Sequence, residues 1–252
     1  MYVLVLILFL AMVALLAAGH RLGRRRLTGE TEHERVGLVS IETAIFGVMG
    51  LIFAFTYSGA AQRFEQRRAM TIQEANAVGT VYLRIDLLAE GTRPALRDKV
   101  KRYAKTLLAA YDALPDEKGF ERGLAQGRAL QGEIWSDAIA ALRDAPPAAS
   151  QLLVPALNDM FDLNVTHEAL VHVKTPHAIL GALIVLALIC CMLAGYGLAG
   201  SRAWSRYLHM VGFAFVLTLI IYIVVDYDYP RYGLIRIDFA DSVLESTIAG
   251  MK

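Results

Sequence analysis

Glu42 is the charged residue that most needs a physical account, because it stands at the start of an apolar run covering residues 43–61. A carboxylate inside a membrane span is costly and by default marks a functional site. Repeated around the axis of an oligomer, it would draw cations to a pore mouth. The competing reading is an interfacial carboxylate in the first turns of a helix, where the dipole favours an anion. Asn76, Thr80 and Arg84 recur every fourth residue beyond that run, so they fall on one helical stripe. Such a stripe would line an aqueous vestibule or form a solvated outer face. Asp226, Asp228 and Arg231 follow the last apolar run, while Arg63, Arg67 and Arg68 follow the second. If the two sets share a membrane face, Asp226, Asp228 and Arg231 would clamp the tail onto Arg63 and its neighbours. Exposed pairs of this kind contribute only ~0–1 kcal/mol each, so plain interfacial solvation is the alternative.

Other chemistry is thinly represented. His167, Glu168, His172 and His177 form the tightest histidine group, and Glu168 and His172 share a helix face. A metal site would need closer convergence, so solvated or core-facing histidines are expected, with no metal. The sequence contains no phosphate-binding glycine loop, nucleophile elbow, CxxC or HExxH. No cofactor and no enzymatic activity are expected. The two cysteines, Cys190 and Cys191, are adjacent within an apolar run, which excludes a disulfide framework and points to inert packing.

The elements that must position these residues are helices in a bilayer. The chain has 252 residues, 56% hydrophobic and 19% charged, with a mean hydropathy of +0.45. A soluble domain averages about 25% charged residues. The formal net charge of +1 leaves no global field to draw in nucleic acid. Apolar runs cover residues 2–18, 43–61, 178–199 and 208–225. At ~1.5 Å per residue the first reaches about 26 Å, enough to cross a hydrocarbon core of ~30 Å. No basic residue precedes it, and Arg21 to Arg26 follow, so it reads as an uncleaved anchor rather than a signal peptide. Gly47, Gly50, Gly181, Gly195, Gly197 and Gly200 sit in or beside the runs. Small residues let membrane helices approach closely, although each one singly is ordinary span composition.

Between the second and third runs lies a neutral block that reads as amphipathic helical hairpins. Leu96, Val100, Tyr103, Leu107 and Leu114 carry one stripe, Phe120, Leu124, Ile134, Ala138 and Leu142 a second, and Leu153, Leu157, Met160 and Phe161 a third. Breaks fall at residues 91–94, 114–119 and 145–147. No proline occurs between residues 43 and 88, so the second span is expected to continue as one helix beyond the bilayer. The expected organisation is spans one and two in residues 1–61, a helical block in 62–175, spans three and four in 176–226, and a tail in 227–252. The fold class is therefore an all-α integral membrane protein with four transmembrane helices. Tyr222, Tyr227, Tyr229 and Tyr232 read as an aromatic belt. The arginines after the first span lean toward cytoplasmic short loops, with both termini and the middle block on the outer face.

The residues also carry a family resemblance. Phe64-Glu65-x-Arg67-Arg68, then Glu74-Ala75-Asn76-Ala77-Val78-Gly79-Thr80-x-Tyr82-Leu83-Arg84, and the ending Asp226-Tyr227-Asp228-Tyr229-Pro230-Arg231-x-Gly233-Leu234-Ile235-Arg236 resemble a bacterial bestrophin-like membrane family, a domain of unknown function. The resemblance extends by analogy to bestrophins, pentameric ion channels with four spans whose second span lines a pore with an apolar neck. It implies a homo-oligomer, a pentamer on the family's pattern, conducting small inorganic ions through the bacterial inner membrane. It further implies a neck at Ile45, Met49 and Phe53. The family's large block is cytoplasmic, against the lean of the arginines here. The alternative function is a non-conducting scaffold or sensor whose helical block binds a partner or ligand.

Overall fold

The computed structural model describes residues 2–26, 32–114, 116–200, 203–231 and 233–251. Among these there is no strand. Eight helices follow in chain order: α1 (Tyr2–Arg26), α2 (Glu32–Arg84), α3 (Arg93–Ala113), α4 (Glu117–Leu142), α5 (Pro147–His172), α6 (His177–Gly197), α7 (Ala203–Asp228) and α8 (Asp238–Gly250). Four helical segments are long and apolar enough to cross a membrane: Tyr2–Arg25, Gly37–Leu87, Pro147–Gly197 and Tyr207–Asp228.

The breaks follow local chemistry. With neither proline nor a glycine pair to interrupt it, α2 runs unbroken for 53 residues. Proline stands within the first two positions of α3 and α5, where its missing N–H would be unbonded in any case. Pro176 caps α6 and cannot extend the preceding helix, so α5 ends at His172 and a short extended link follows.

The chain divides into two compact units, Met1–Gln62 with Lys174–Asp228, and Arg63–Val173 with Tyr229–Lys252. The first is the membrane unit. Its core gathers Met12 and Leu16 of α1, Leu183, Ala187 and both cysteines of α6, and Met210, Ala214 and Leu217 of α7. Without a hydrophobic drive between helices in lipid, close packing must hold them. Helices α1 and α6 achieve it through glycine. A Cβ on Gly195 would overlap the Leu16 carbonyl, one on Gly19 the Met192 carbonyl, and one on Gly23 would lie 2.7 Å from the Tyr196 carbonyl oxygen. The outer surface of α1 presents Val3, Leu4 and Leu10 openly, a surface suited to lipid. Rings pair at Tyr2–Tyr222, with centroids 6.4 Å apart, and at Tyr57–Tyr227, 5.7 Å apart.

The second unit packs α3, α4 and α5 with the latter part of α2 and with α8. The stripes Leu96–Val100–Tyr103–Leu107, Phe120–Leu124–Ile134–Ala138 and Leu153–Leu157–Met160 are all buried. Each large side chain closed off here contributes ~1.5–3 kcal/mol. The tail is not a plain extension: α8 buries Ala240, Leu244 and Ile248, spaced by four, and two acidic residues occupy its first turn, where the dipole welcomes them.

Candidate functional site

Helix α2 carries most of the expected site residues, and its two faces differ sharply in the membrane unit. Met49 and Phe53 are buried, at 7% and 5% exposure, among α1, α6 and α7 side chains. Ile45 packs against the same cluster. The three residues of the expected neck thus sit against the membrane unit's own packed cluster. Glu42 lies two turns before Met49, on the same face. Its carboxylate is half-buried and addresses the end of α6, where a Cβ on Gly197 would sit 3.5 Å from Glu42 Oε2. Glu42 is thereby turned toward its own chain, not toward the outward stripe.

The opposite face of α2 is open. Ser40, Ala44, Gly47, Leu51, Ala54, Ser58 and Gln62 are all exposed. They recur at spacings of three and four, so they form one stripe, centred half a turn away from Met49. All but Leu51 are small or polar, and Leu51 stands mid-span at 57% exposure.

In the second unit, α2 continues with Asn76 exposed and Thr80 and Arg84 partly so. Thr80 Oγ1 donates to the Asn76 carbonyl at 2.9 Å, and Arg84 Nη1 to the Leu152 carbonyl at 2.6 Å. Thr80 and Arg84 line one open groove of about 530 Å³ with Asp159, Asp162 and Thr166 of α5. Asn76 is not among its lining residues.

Of the expected tail-clamp residues, Arg231 pairs within its own unit. Arg231 pairs with Asp241 at 2.9 Å and Asp112 at 3.4 Å, and its guanidinium lies 5.8 Å from the Tyr111 ring centre. It therefore ties the start of the tail to α3 and α8. Asp228 Oδ2 accepts the Thr175 backbone N–H at 2.9 Å, which fixes the link into α6. Asp226 is buried at the end of α7, and Arg63 is half-buried where α2 enters the second unit.

A buried polar network in the second unit was not foreseen as a unit. Glu74 and His167 are 0% and 2% exposed, with Glu74 Oε2 and His167 Nδ1 2.8 Å apart. Asn164 Nδ2 donates to Glu74 Oε1 at 2.9 Å, and the Tyr111 hydroxyl donates to the same oxygen at 3.4 Å. Gln131 Nε2 bridges the Tyr103 hydroxyl at 2.9 Å and Asn164 Oδ1 at 3.2 Å. The Tyr111 and His167 rings stack with centroids 4.3 Å apart. Burial, and then the Glu74 charge, push both tyrosine hydroxyls above their ordinary range, so they remain hydrogen-bond donors. Below this network Arg67, 4% exposed, donates through Nε to the Leu170 carbonyl at 3.1 Å and through Nη2 to the Val173 carbonyl. A cation is well placed on the carbonyls that end α5. The signal for Asn164 and His167 was available in the sequence: they continue the stripe Leu153–Leu157–Met160 at helical spacing, so they had to be buried.

The remaining histidine-group residues go separate ways. Glu168 pairs with Arg128 at 3.1 Å, and the His172 ring lies 6.2 Å from that of Phe120. Among the described residues no group of three histidine, cysteine or acidic side chains converges as a metal site.

The fold and these sites define an all-helical, four-span membrane protein whose second span continues into a helical extramembrane bundle. The sequence pattern of the bestrophin-like domain matches residues 10–240, and the chain belongs to the bestrophin-like family. Its structure is similar to that of a bacterial bestrophin homologue from Klebsiella pneumoniae, solved in several point-substituted forms. One form matches with a TM-score of 0.71 at 15% identity, over 98% of this chain and 97% of that one. Another reaches a TM-score of 0.73 at 15% identity, over 96% and 98%. At such identity the likeness carries the fold. No curated protein sequence matches the chain.

Proposed function

We propose that the chain is one subunit of a homo-oligomeric, passive ion channel whose conduit runs along α2. The observation that supports this reading is the outward stripe Ser40–Ala44–Gly47–Leu51–Ala54–Ser58–Gln62. Its small residues let neighbouring copies of α2 approach an axis, while Ser40, Ser58 and Gln62 offer water and ions polar contacts. Leu51 then forms the apolar constriction, closing the path by dewetting as hydrophobic gates do. The neck so placed lies half a turn from Ile45, Met49 and Phe53, which pack against the membrane unit's own cluster. Asn76, Thr80 and Arg84 line the vestibule on the same helix. Membership of a family named for bestrophins, together with the shared fold, favours conduction over an enzymatic role. No cofactor is required.

Recordings from purified protein in planar bilayers test the reading. Wild type gives single-channel currents, Leu51→Ser raises open probability, and Leu51→Trp reduces conductance. Silence of wild type and Leu51→Ser across voltages and salts would overturn it. In that case the groove at Thr80, Arg84, Asp159 and Asp162 would favour the scaffold or sensor reading.

A further inference from the structure

The membrane unit contains a second feature that conduction does not use. A groove of about 730 Å³ lies between α1, α2, α6 and α7, walled by Leu16, Phe46, Leu208, Phe213 and Val216. His209 is its one polar lining side chain among the described residues. At one end stand Gly197 and Leu198, the last turn of α6. There the charges change. Glu42, one turn before Phe46, places Oε2 beside Gly197. The end of α6 adds the negative pole of a helix dipole. Gly23 of α1 packs on the same turn, its Cβ position 2.8 Å from Ala199 Cβ. Exposed Arg24 follows it about a quarter turn round the helix, while Arg21 and Arg25 fall about half a turn away.

We propose that this groove holds one acyl chain of a phospholipid with a primary-amine headgroup, its ammonium on Glu42 and its phosphate on Arg24. An anionic headgroup suits Arg24 but would set net negative charge against Glu42 and the α6 terminus. A choline headgroup has no N–H to donate to the carboxylate. A helix of a second copy is the remaining competitor, and the cross-linking arm of the test decides it. A flexible chain fits an apolar slot of this size, within the range of ordinary ligand pockets.

The test uses the full chain in detergent, stripped of lipid and offered dioleoyl phosphatidylethanolamine, phosphatidylcholine or phosphatidylglycerol singly. Retained lipid is read by native mass spectrometry. The ethanolamine lipid is retained more than the others by a factor on the order of five, the yield of one partly exposed ion pair. Glu42→Gln brings it down to the choline level. Arg24→Gln lowers all three. A Cβ at Gly212, on the groove lining, meets nothing within 4 Å, so Gly212→Phe fills the slot and lowers retention of every lipid without shifting the thermal midpoint. Equal retention of the three lipids by wild type would overturn the proposal, as would a preference that survives Glu42→Gln. So would efficient disulfide cross-linking of Gly212→Cys to a second copy, which would make the groove a subunit seam. None of these readouts involves current, so they stand or fall apart from the channel reading.

Discussion

Glu74 of α2 and His167 of α5 meet at 2.8 Å, 93 residues apart in sequence, with both side chains closed to solvent. A buried carboxylate is tolerable only when its oxygens are occupied. Here Asn164 and Tyr111 share one oxygen and His167 takes the other. The arrangement joins α2 to α3 and α5 through a single acid.

Removing either member of the pair strands the other. Glu74→Ala and His167→Ala should each destabilise the protein by about 1–3 kcal/mol, the cost of buried polar groups left without their partner. The double variant should lose less than the sum, with a coupling of about 0.5–3 kcal/mol. Unfolding midpoints in detergent complete the cycle, and strict additivity would show that the two groups do not support one another.

The two faces of α2 should separate stability from conduction. Met49→Ala opens a hole in a packed core and should lower stability by about 2–5 kcal/mol. Leu51→Ser, on an open face, should change it by no more than about 0.5 kcal/mol. If both substitutions leave the thermal midpoint unchanged, Met49 is not packed as described.

What could be read in advance follows from what spacing encodes. The unbroken α2, the hairpin breaks and the three core stripes all rest on local signals, proline positions and periods near 3.6, and they match the structure. Ile45, Met49 and Phe53 show the limit. Their spacing places them on one face, but no single sequence says whether an apolar face meets its own chain's helices or an axis shared between copies. Arg231 shows the same limit for charge. Its sign invited acidic partners, yet Asp112 lies 119 residues away, and only the folded chain brings α3 beside the tail. Helix α8 was legible in Ala240, Leu244 and Ile248, but so short a stripe does not stand out in a tail. The α1–α6 crossing depends on Gly19, Gly23 and Gly195 pressing on backbone, and a glycine in a span looks the same whether or not it is pressed.

Two glycines of α4 offer a matched pair. A Cβ on Gly132 meets nothing within 4 Å, whereas one on Gly123 would lie 2.5 Å from Ala110 Cβ and 3.0 Å from Ala110 Cα. Gly132→Ala should therefore stabilise the helix by about 1 kcal/mol, while Gly123→Ala should force α3 and α4 apart and destabilise. Opposite shifts in thermal midpoint are expected, and shifts of the same sign would contradict the α3–α4 contact.

Arg231 should make stability depend on pH through Asp241. Burial pushes the Asp241 carboxyl up, and Arg231 pulls it part of the way back. In Arg231→Met that pull is gone, so the folded-state value rises further above the unfolded ~3.9. A group raised on folding stabilises fully below its unfolded value and loses that contribution as pH climbs through the folded one. The variant's deficit against wild type should thus be small near pH 4 and grow to about 1–3 kcal/mol at neutral pH, the cost of a buried group left without its partner. Adding Asp241→Asn removes the titrating group and should flatten the profile. Thermal midpoints of the wild type, the single variant and the double variant, taken across that interval, measure it. A deficit in Arg231→Met that does not change with pH would mean that Arg231 holds the tail through Asp112 and Tyr111 instead.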